Sequence, residues 1–200
     1  MKKLLLIIFT LLTFEMFAQT NYEKEIEAFR RQYLSEFMTE ERSPIKNSED
    51  LRYIQFFKPD SEYRVEAEVT MTKDAVPFNL PTMNGKSKKY IEYGKLTFEL
   101  LGQNFTMKLL KRVLPPDSDD DELLFLPFLD ETNGNETYGG GRYLDFEEED
   151  IFDGILIIDF NKAYNPWCAY AGGFSCPKPP AENYLKMKVQ AGEKNYGKGH

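Results

Sequence analysis

The residues best suited to holding a ligand lie in a glycine-rich segment at residues 137–143. The segment combines a permissive backbone, two aromatic rings and one cation, contributed by Tyr138, Gly140, Gly141, Arg142 and Tyr143. Glycine lets a backbone approach a ligand closely, and the fork of an arginine suits a carboxylate or a phosphate. The segment is not a nucleotide-binding loop, because it has neither Gly-x-Gly-x-x-Gly opening a helix nor a Gly-Lys-Ser/Thr ending. It therefore predicts a site for a small anionic ligand.

A competing interpretation makes the same segment structural. Its arginine would then hold two loops together by pairing with one of three aspartates: Asp130, Asp145 or Asp159. The third of these, Asp159, is followed by Asn161 and Asn165 where an apolar run enters the next loop. We include all three of these later side chains in the predicted ligand site. The same residue types also cap turns and satisfy backbone groups, so a structural role is the alternative.

Acid–base catalysis in this chain would have to use carboxylates or thiols. The sequence contains one histidine, His200, at its last position, where a chain end is usually frayed. Histidine-dependent triads and histidine-ligated zinc are therefore not expected. A hydrolase that uses Asp145 or Asp159 as acid or base stays open, because two carboxylates can divide these roles. A thiol enzyme that uses Cys168 stays open as well.

The chain contains two cysteines, Cys168 and Cys176, in a stretch rich in proline and glycine. The stretch has little secondary-structure signal and would gain from a covalent link. We predict a disulfide between the two cysteines, since disulfides persist after export. The alternative is a redox pair or a nucleophilic thiolate, but the chain lacks a Cys-x-x-Cys at a helix start.

Two acidic runs, at residues 117–121 and 147–150, raise the question of calcium. The first run has acidic residues at positions one, three and five of a calcium loop. Glu122 then stands where the loop needs glycine, and Phe128 stands where it needs a bidentate glutamate. Both runs are interpreted as solvated loops, and the sequence predicts neither a metal nor a cofactor.

The composition is typical of a globular protein and does not indicate a nucleic-acid-binding surface. The chain has 200 residues, of which 42% are hydrophobic, and 25 Lys and Arg against 33 Asp and Glu give a net charge of -8. This length corresponds to about one domain. Nucleic acid is not an expected partner, because the sequence has no dense basic stripe to bind phosphates.

Residues 1–18 have the features of a cleavable signal peptide. Lys2 and Lys3 precede an apolar run at residues 4–14, and Ala18 precedes a polar stretch. The run is shorter than the ~20 residues that span a bilayer, so we expect no membrane span after cleavage. The segment predicts export, to the periplasm or to the outside of the cell.

A single amphipathic helix is predicted over residues 19–42. Large apolar side chains recur there at steps of four and three, at Tyr22, Ile26, Phe29, Tyr33 and Phe37. This spacing places them on one face of a helix, which we expect to pack on the body of the domain.

The chain from residue 43 to 196 is predicted to be one mainly β domain. Apolar and polar residues alternate in four segments and two further segments are almost wholly apolar, namely 62–71, 95–101, 105–111 and 185–190, then 123–129 and 155–160. With 89–93, these make about seven strands of an antiparallel β-sandwich or a partly open barrel. Gly102-Gln103 is predicted to turn a hairpin, and residues 197–200 are predicted to be a flexible tail.

Several of these motifs together resemble a bacterial family called domain of unknown function 1684. The matching positions are 63–65, 93–94, 137–145, 159–161, 163–166, 168–170, 176–177, 179–180, 182–183 and 191–194. The resemblance covers the chain from about Ser43 to Tyr196 and is most specific in the last third. It implies a small, mostly β, often exported protein, and it assigns no catalytic residues.

Two functions from different classes follow. The preferred one is a non-enzymatic exported binding or accessory protein that takes a small anionic ligand or a cell-envelope component. The second is a carboxylate- or thiol-dependent hydrolase with an unspecified substrate. Two carboxylates across an open cleft would favour the enzyme, whereas an Arg142 buried in ion pairs would favour a structural role for its segment.

Overall fold

The structure is a computed structural model that describes residues 2–116, 118 and 122–198, with side chains described from Gln19 onward. Apart from Ser118, the predicted acidic loop at 117–121 lies outside the described residues, and so does His200. A helix comes first along the chain, and a curled sheet joined by short 3-10 helices follows it.

Helix α1 (Lys2–Thr39) begins before the predicted start at residue 19 and ends three residues before the predicted end. Its apolar stripe faces the body of the protein: Ile26 is fully buried and Phe37 is 6% exposed. The hydroxyl groups of Tyr22 and Tyr33 also bond to the body. In the described part of the chain, no helix combines the length and apolarity needed to cross a bilayer.

The described strands form one eight-stranded sheet that curls into a half-barrel. They are β1 (Arg64–Met71), β2 (Phe78–Pro81), β3 (Ser87–Leu100), β4 (Gln103–Arg112), β5 (Leu124–Asp130), β6 (Arg142–Phe146), β7 (Ile155–Asp159) and β8 (Tyr184–Leu185). The order is β6-β5-β4-β3-β1-β7, with β2 beside β3, and β8 pairs in parallel with β5. The mainly β prediction is confirmed. Because β6 and β7 end the order, the barrel is open between them.

A large core packs on one face of this sheet. Alternate residues of β3, Leu96, Phe98 and Leu100, are at most 3% exposed, and they join Leu126 of β5 and Leu156 of β7 in one cluster. Strand side chains alternate between faces, so this spacing places one face of β3 in the core and leaves the other face wetter. The apolar run of β5 is buried on both faces, because Phe125 belongs to a second cluster on the other side.

The hairpin between β3 and β4 turns one residue earlier than the sequence predicted. Its two central residues are Leu101 and Gly102, with φ of 48° and 77°, and Leu100 pairs with Gln103. Both positive φ values fit a type I′ turn, in which glycine usually takes the second central position. The prediction wrongly placed Gly102 first.

The predicted strand at 185–190 is correct in its burial pattern but mostly wrong in its hydrogen bonding. Leu185, Met187 and Val189 are buried, and the residues between them are exposed. Regular pairing nevertheless stops at Leu185, where β8 ends. Beyond that point the carbonyl of Val189 accepts a hydrogen bond from the Arg142 side chain instead of from a neighbouring strand. At Val189 a side chain thus replaces a backbone partner, whereas the Met187 carbonyl still accepts from the Glu131 backbone N–H.

Candidate functional site

Arg142, the cation of the predicted anion site, is fully buried at the start of β6. Its Nη2 lies 2.8 Å from the Asp130 carboxylate and 2.8 Å from the Val189 carbonyl. Its Nη1 donates to the Ala191 carbonyl, and its guanidinium lies 5.2 Å from the centre of the Phe128 ring. The arrangement clamps the C-terminal segment against β5 and β6, and it is the structural alternative raised from the sequence. Arg142 offers no exposed donor to an anion.

The other members of the glycine-rich segment pack around this clamp. Gly141 has a φ of 90°, and a Cβ there would lie 2.6 Å from the Phe128 carbonyl oxygen, so only glycine fits. A Cβ on Gly140 would meet the Tyr138 ring at 2.5 Å. The Tyr143 hydroxyl donates to the Pro177 carbonyl, and burial raises the pKa of Tyr143 well above its usual range. These glycines serve close packing between loops.

Asp159 and Asn161 lie at the end of β7, beneath helix α1. One carboxylate oxygen of Asp159, Oδ1, accepts from the Tyr22 hydroxyl at 2.8 Å and from the Asn161 backbone N–H at 3.0 Å. The side-chain oxygen of Asn161 accepts a hydrogen bond from the Asp60 backbone N–H at 2.9 Å. The second oxygen, Asp159 Oδ2, is buried without a hydrogen-bond partner among the described residues.

Asn165 belongs to a second buried polar cluster, centred on Glu193. The Glu193 carboxylate is fully buried and accepts from the hydroxyl groups of Tyr170 at 2.6 Å and Tyr33 at 3.0 Å. It also accepts from the Asn165 backbone N–H at 3.0 Å. Burial raises the pKa of Glu193 to about 7, and these hydrogen bonds act in the opposite direction. Through Tyr33, the cluster ties α1 to the C-terminal segment.

A cleft of about 770 Å³ lies between α1 and the open side of the half-barrel. Residues of both end strands line it, so the cleft occupies the place where β6 and β7 leave the barrel unclosed. Six of the lining residues are aromatic: Phe29, Tyr33, Phe37, Phe146, Tyr164 and Trp167. The cleft therefore offers a concave, partly aromatic surface at the open side of the barrel.

Carboxylates outnumber cations in the cleft. The acidic lining residues are Glu36, Glu40, Asp145, Asp150 and Asp159, and the basic ones are Arg64 and Lys162. Asp145 is in contact with solvent yet enclosed by the cleft walls, and the loss of hydration raises the pKa of its carboxyl to about 6. The Tyr164 hydroxyl, which donates to Asp145, acts in the opposite direction. The cleft combines a net negative charge with a carboxyl able to exchange protons near neutral pH.

The structure thus divides the predicted site residues among three places. Asp159 lines the cleft and Asn161 bonds to it, whereas Asn165 belongs to the Glu193 cluster. Arg142 forms the clamp, and four residues pack around it: Tyr138, Gly140, Gly141 and Tyr143. Sequence reasoning missed Trp167, Arg64 and Glu193 as site residues. Glu193 could have been identified from the sequence, because it belongs to the motif at 191–194. Nothing in that motif indicates that its carboxylate is buried.

Cys168 and Cys176 form a disulfide, with their Cα atoms 6.3 Å apart. The bond closes the loop that begins beside Trp167, a residue of the cleft wall. Among residues 19–116, 118 and 122–198, no group of three or more His, Cys, Asp or Glu side chains is arranged to hold a metal ion.

Replacing both cysteines with serine is expected to lower the free energy of unfolding by about 2.5 kcal/mol. A disulfide that closes so short a loop reduces the conformational entropy of the unfolded chain by an amount equivalent to that energy. Urea denaturation of the oxidised protein and the double variant measures the difference. Reductant should produce the same loss in the parent and no further loss in the variant. Equal stabilities of parent and variant would show that the loop is held without the bond.

A small mainly β half-barrel, with a helix over its open side and a cleft between them, is the class of protein that this fold and site define. The chain belongs to the family described as Protein of unknown function (DUF1684), whose model matches residues 49–194. It is similar to an uncharacterized protein of Haloarcula marismortui solved by solution NMR, with 35% identity and a TM-score of 0.67. That match covers 88% of this chain and 95% of the other. No curated protein matches the chain.

Proposed function

We propose that the protein binds a small organic ligand in the cleft between α1 and the open side of the half-barrel. The cleft itself carries the proposal. Ligand sites are typically concave, about 300 to 1,000 Å³ in volume, rich in aromatic side chains and equipped with a few polar groups. The cleft has this size and lining, and it holds a carboxyl whose pKa is shifted toward neutrality.

This proposal moves the ligand away from Arg142. Because Arg142 is fully buried and both terminal nitrogens of its guanidinium bond to Asp130 and backbone carbonyls, the predicted anion site has no exposed donor there. The cleft has five carboxylates and two cations, so it disfavours an anion. The binding function of the sequence analysis is kept, with a different location and a different charge for the ligand.

We further propose that binding takes place outside the cytoplasm. Two features support export: the signal-like segment at residues 1–18 and the disulfide between Cys168 and Cys176. Disulfides persist in exported proteins and are rare in the reducing cytosol. A cell-envelope component or a small molecule outside the cell is then the natural ligand.

Trp167 gives a direct test of the binding function. It is the single tryptophan of the chain and it lines the cleft, so its fluorescence reports occupancy of the cleft. A panel of amines, organic acids, sugars, nucleotides and lipids is titrated while emission and thermal unfolding are recorded. We expect at least one class to shift the emission, and a ligand at 100 times its Kd to stabilise the protein by about 2.7 kcal/mol.

A blocking variant and a matched control locate the binding. Ile157 lines the cleft, so Ile157→Tyr should weaken binding at least about tenfold, the equivalent of 1.4 kcal/mol. Val76 is 78% exposed and lies outside the cleft lining, so Val76→Tyr should leave binding unchanged. A panel without any response, or equal binding by the two variants, would refute the proposal.

The hydrolase is the second candidate, supported by Asp145. A carboxyl with a pKa of about 6 can donate a proton as a general acid, an effect worth about 100-fold to 10,000-fold in rate. Chromogenic esters and glycosides should then be hydrolysed at a rate that falls as the pH rises through about 6. Asp145→Asn should lose that rate, and a parent without turnover on any substrate eliminates this candidate. The thiol version is not favoured, because the Cys168 sulfur is bonded to Cys176.

A further inference from the structure

We propose that the ligand of the cleft carries a positive charge on an amine or a quaternary ammonium, and that Asp159 is the group that receives it. This inference rests on the proposed binding function and adds the chemical class of the ligand. It is carried by three features: the unpaired oxygen of Asp159, the balance of charge in the cleft and the aromatic walls.

Asp159 is the one buried carboxylate among the described residues that line the cleft. Its side chain is buried, with the residue 4% exposed, and its hydrogen bonds from Tyr22 and Asn161 all go to Oδ1. Oδ2 has no partner among the described residues. A buried carboxylate oxygen without a donor is unfavourable, since it has lost hydration and gained nothing in return. A ligand that brings an N–H group or a positive charge to this oxygen restores the missing interaction.

Arg64 and Arg30 do not supply that donor. Arg64 of β1 stands opposite Asp159 in the strand register and lines the cleft, and its side chain forms no ion pair with Asp159 in the described structure. Burial lowers the pKa of Arg30 of α1, and the negative charges of Tyr22 and Asp159 act in the opposite direction. The Nε and Nη2 atoms of Arg30 also lack hydrogen-bond partners among the described residues. Asp159 Oδ2 therefore accepts no hydrogen bond from either arginine in the described structure.

The walls of the cleft favour a cation over an anion. Its five carboxylates face two cationic side chains, and one of these, Lys162, lies 3.8 Å from Glu25 and above the Phe29 ring. The faces of Trp167 and Tyr164 attract cations through their ring quadrupoles, by about 0.5 to 2 kcal/mol for each contact. A neutral polyol could also bond to Asp159, but it would gain nothing from the net charge.

Three aromatic probes of similar size distinguish a cationic, a neutral and an anionic ligand: benzylamine, benzyl alcohol and benzoate. At about pH 7.5 the first is a cation, the second is neutral and the third is an anion. Each is titrated against the full chain at low salt, with Trp167 emission as the readout and thermal unfolding as a second one. We expect benzylamine to bind at least about tenfold more tightly than either of the others, as a charge-assisted hydrogen bond predicts.

Two variants with the same change in net charge locate the preference. Asp159→Asn keeps the oxygen that Tyr22 and Asn161 bond to, and it should abolish the preference for the cation. Asp153→Asn, at an exposed turn residue with a φ of 51° that asparagine tolerates, should leave the preference intact. If Asp159→Asn fails to fold, the double variant Glu36→Gln/Glu40→Gln replaces it, with a smaller loss of preference expected.

The outcomes for the charge of the ligand and for the binding function differ. Equal or tighter binding of benzyl alcohol or benzoate overturns the proposed positive charge of the ligand. A preference for benzylamine that survives Asp159→Asn overturns the role of Asp159. If none of the three probes binds while another class of the wider panel shifts Trp167, the cation is overturned and the binding function stands. If no class of compound binds in the cleft in either experiment, both the positive charge of the ligand and the binding function are overturned.

Discussion

Replacing Arg142 with alanine is expected to lower the free energy of unfolding by about 3 to 5 kcal/mol, the cost of breaking a fully buried ion pair. The substitution leaves the Asp130 carboxylate, which is 3% exposed, without its cation. It also removes the donor to the carbonyls of Val189 and Ala191, so the C-terminal segment loses its attachment to the sheet. Because small domains are stable by about 5 to 15 kcal/mol, the variant should unfold in much less urea.

Two further variants show whether the loss comes from the ion pair. Arg142→Ala/Asp130→Ala should be more stable than the sum of the two single losses predicts, since it strands neither charge. Arg64→Ala removes an exposed arginine of the cleft rim and should change stability by no more than about 0.5 kcal/mol. An Arg142→Ala variant that denatures with the parent would contradict the clamp and reopen the anion site.

The periodic elements were predictable from the sequence because burial and spacing are local properties. The alternation at 95–101 and 105–111 corresponds to β3 and β4, and the apolar run at 123–129 corresponds to β5. The segment at 185–190 was predicted correctly in burial and mostly wrongly as a strand. The Val189 carbonyl of this segment bonds to the side chain of Arg142, a partner that no local pattern records.

The candidate site was only partly predictable, for a related reason. Asp159 was singled out because polar residues follow an apolar run, and it lies in the cleft. Arg142 was given two interpretations, and residue type could not separate them, since an arginine fork fits Asp130 as well as it fits a ligand. The cleft itself depends on where the sheet stops closing and on how α1 packs there. Both are consequences of pairings between residues distant in sequence.

Glu193 shows the same limit most clearly, because its partner Tyr33 lies 160 residues earlier in the chain. A glutamate near the end of a chain is expected at the surface. Here it is fully buried between helix α1 and the loop that carries Tyr170. Its only compensation in the described structure is hydrogen bonding, since no cation pairs with its carboxylate there, and Arg142 approaches only its backbone carbonyl, at 3.4 Å.

The stability of the protein is therefore expected to fall as the pH rises from about 4.5 to about 7. In this range folded Glu193, with a pKa of about 7, holds a proton that the unfolded chain has released near its ordinary pKa of about 4.3. The contribution of Glu193 is complete below this range and lost above it, and it amounts to roughly 3 kcal/mol at 1.36 kcal/mol per pKa unit. Asp145, whose pKa is raised to about 6, acts in the same direction. Urea denaturation at a series of pH values measures the slope.

Glu193→Gln tests whether this carboxyl is the source of the slope. The amide has nearly the same shape, still accepts hydrogen bonds from Tyr33 and Tyr170, and cannot ionise. The variant should match the parent near pH 5 and exceed it by up to about 3 kcal/mol at pH 8, since only the parent must hold a buried charge there. Glu131→Gln, at an exposed position, should keep the slope of the parent. A Glu193→Gln variant that loses stability at pH 8 would show instead that the ionised carboxylate, held by its two tyrosines, is what fastens α1 to the body.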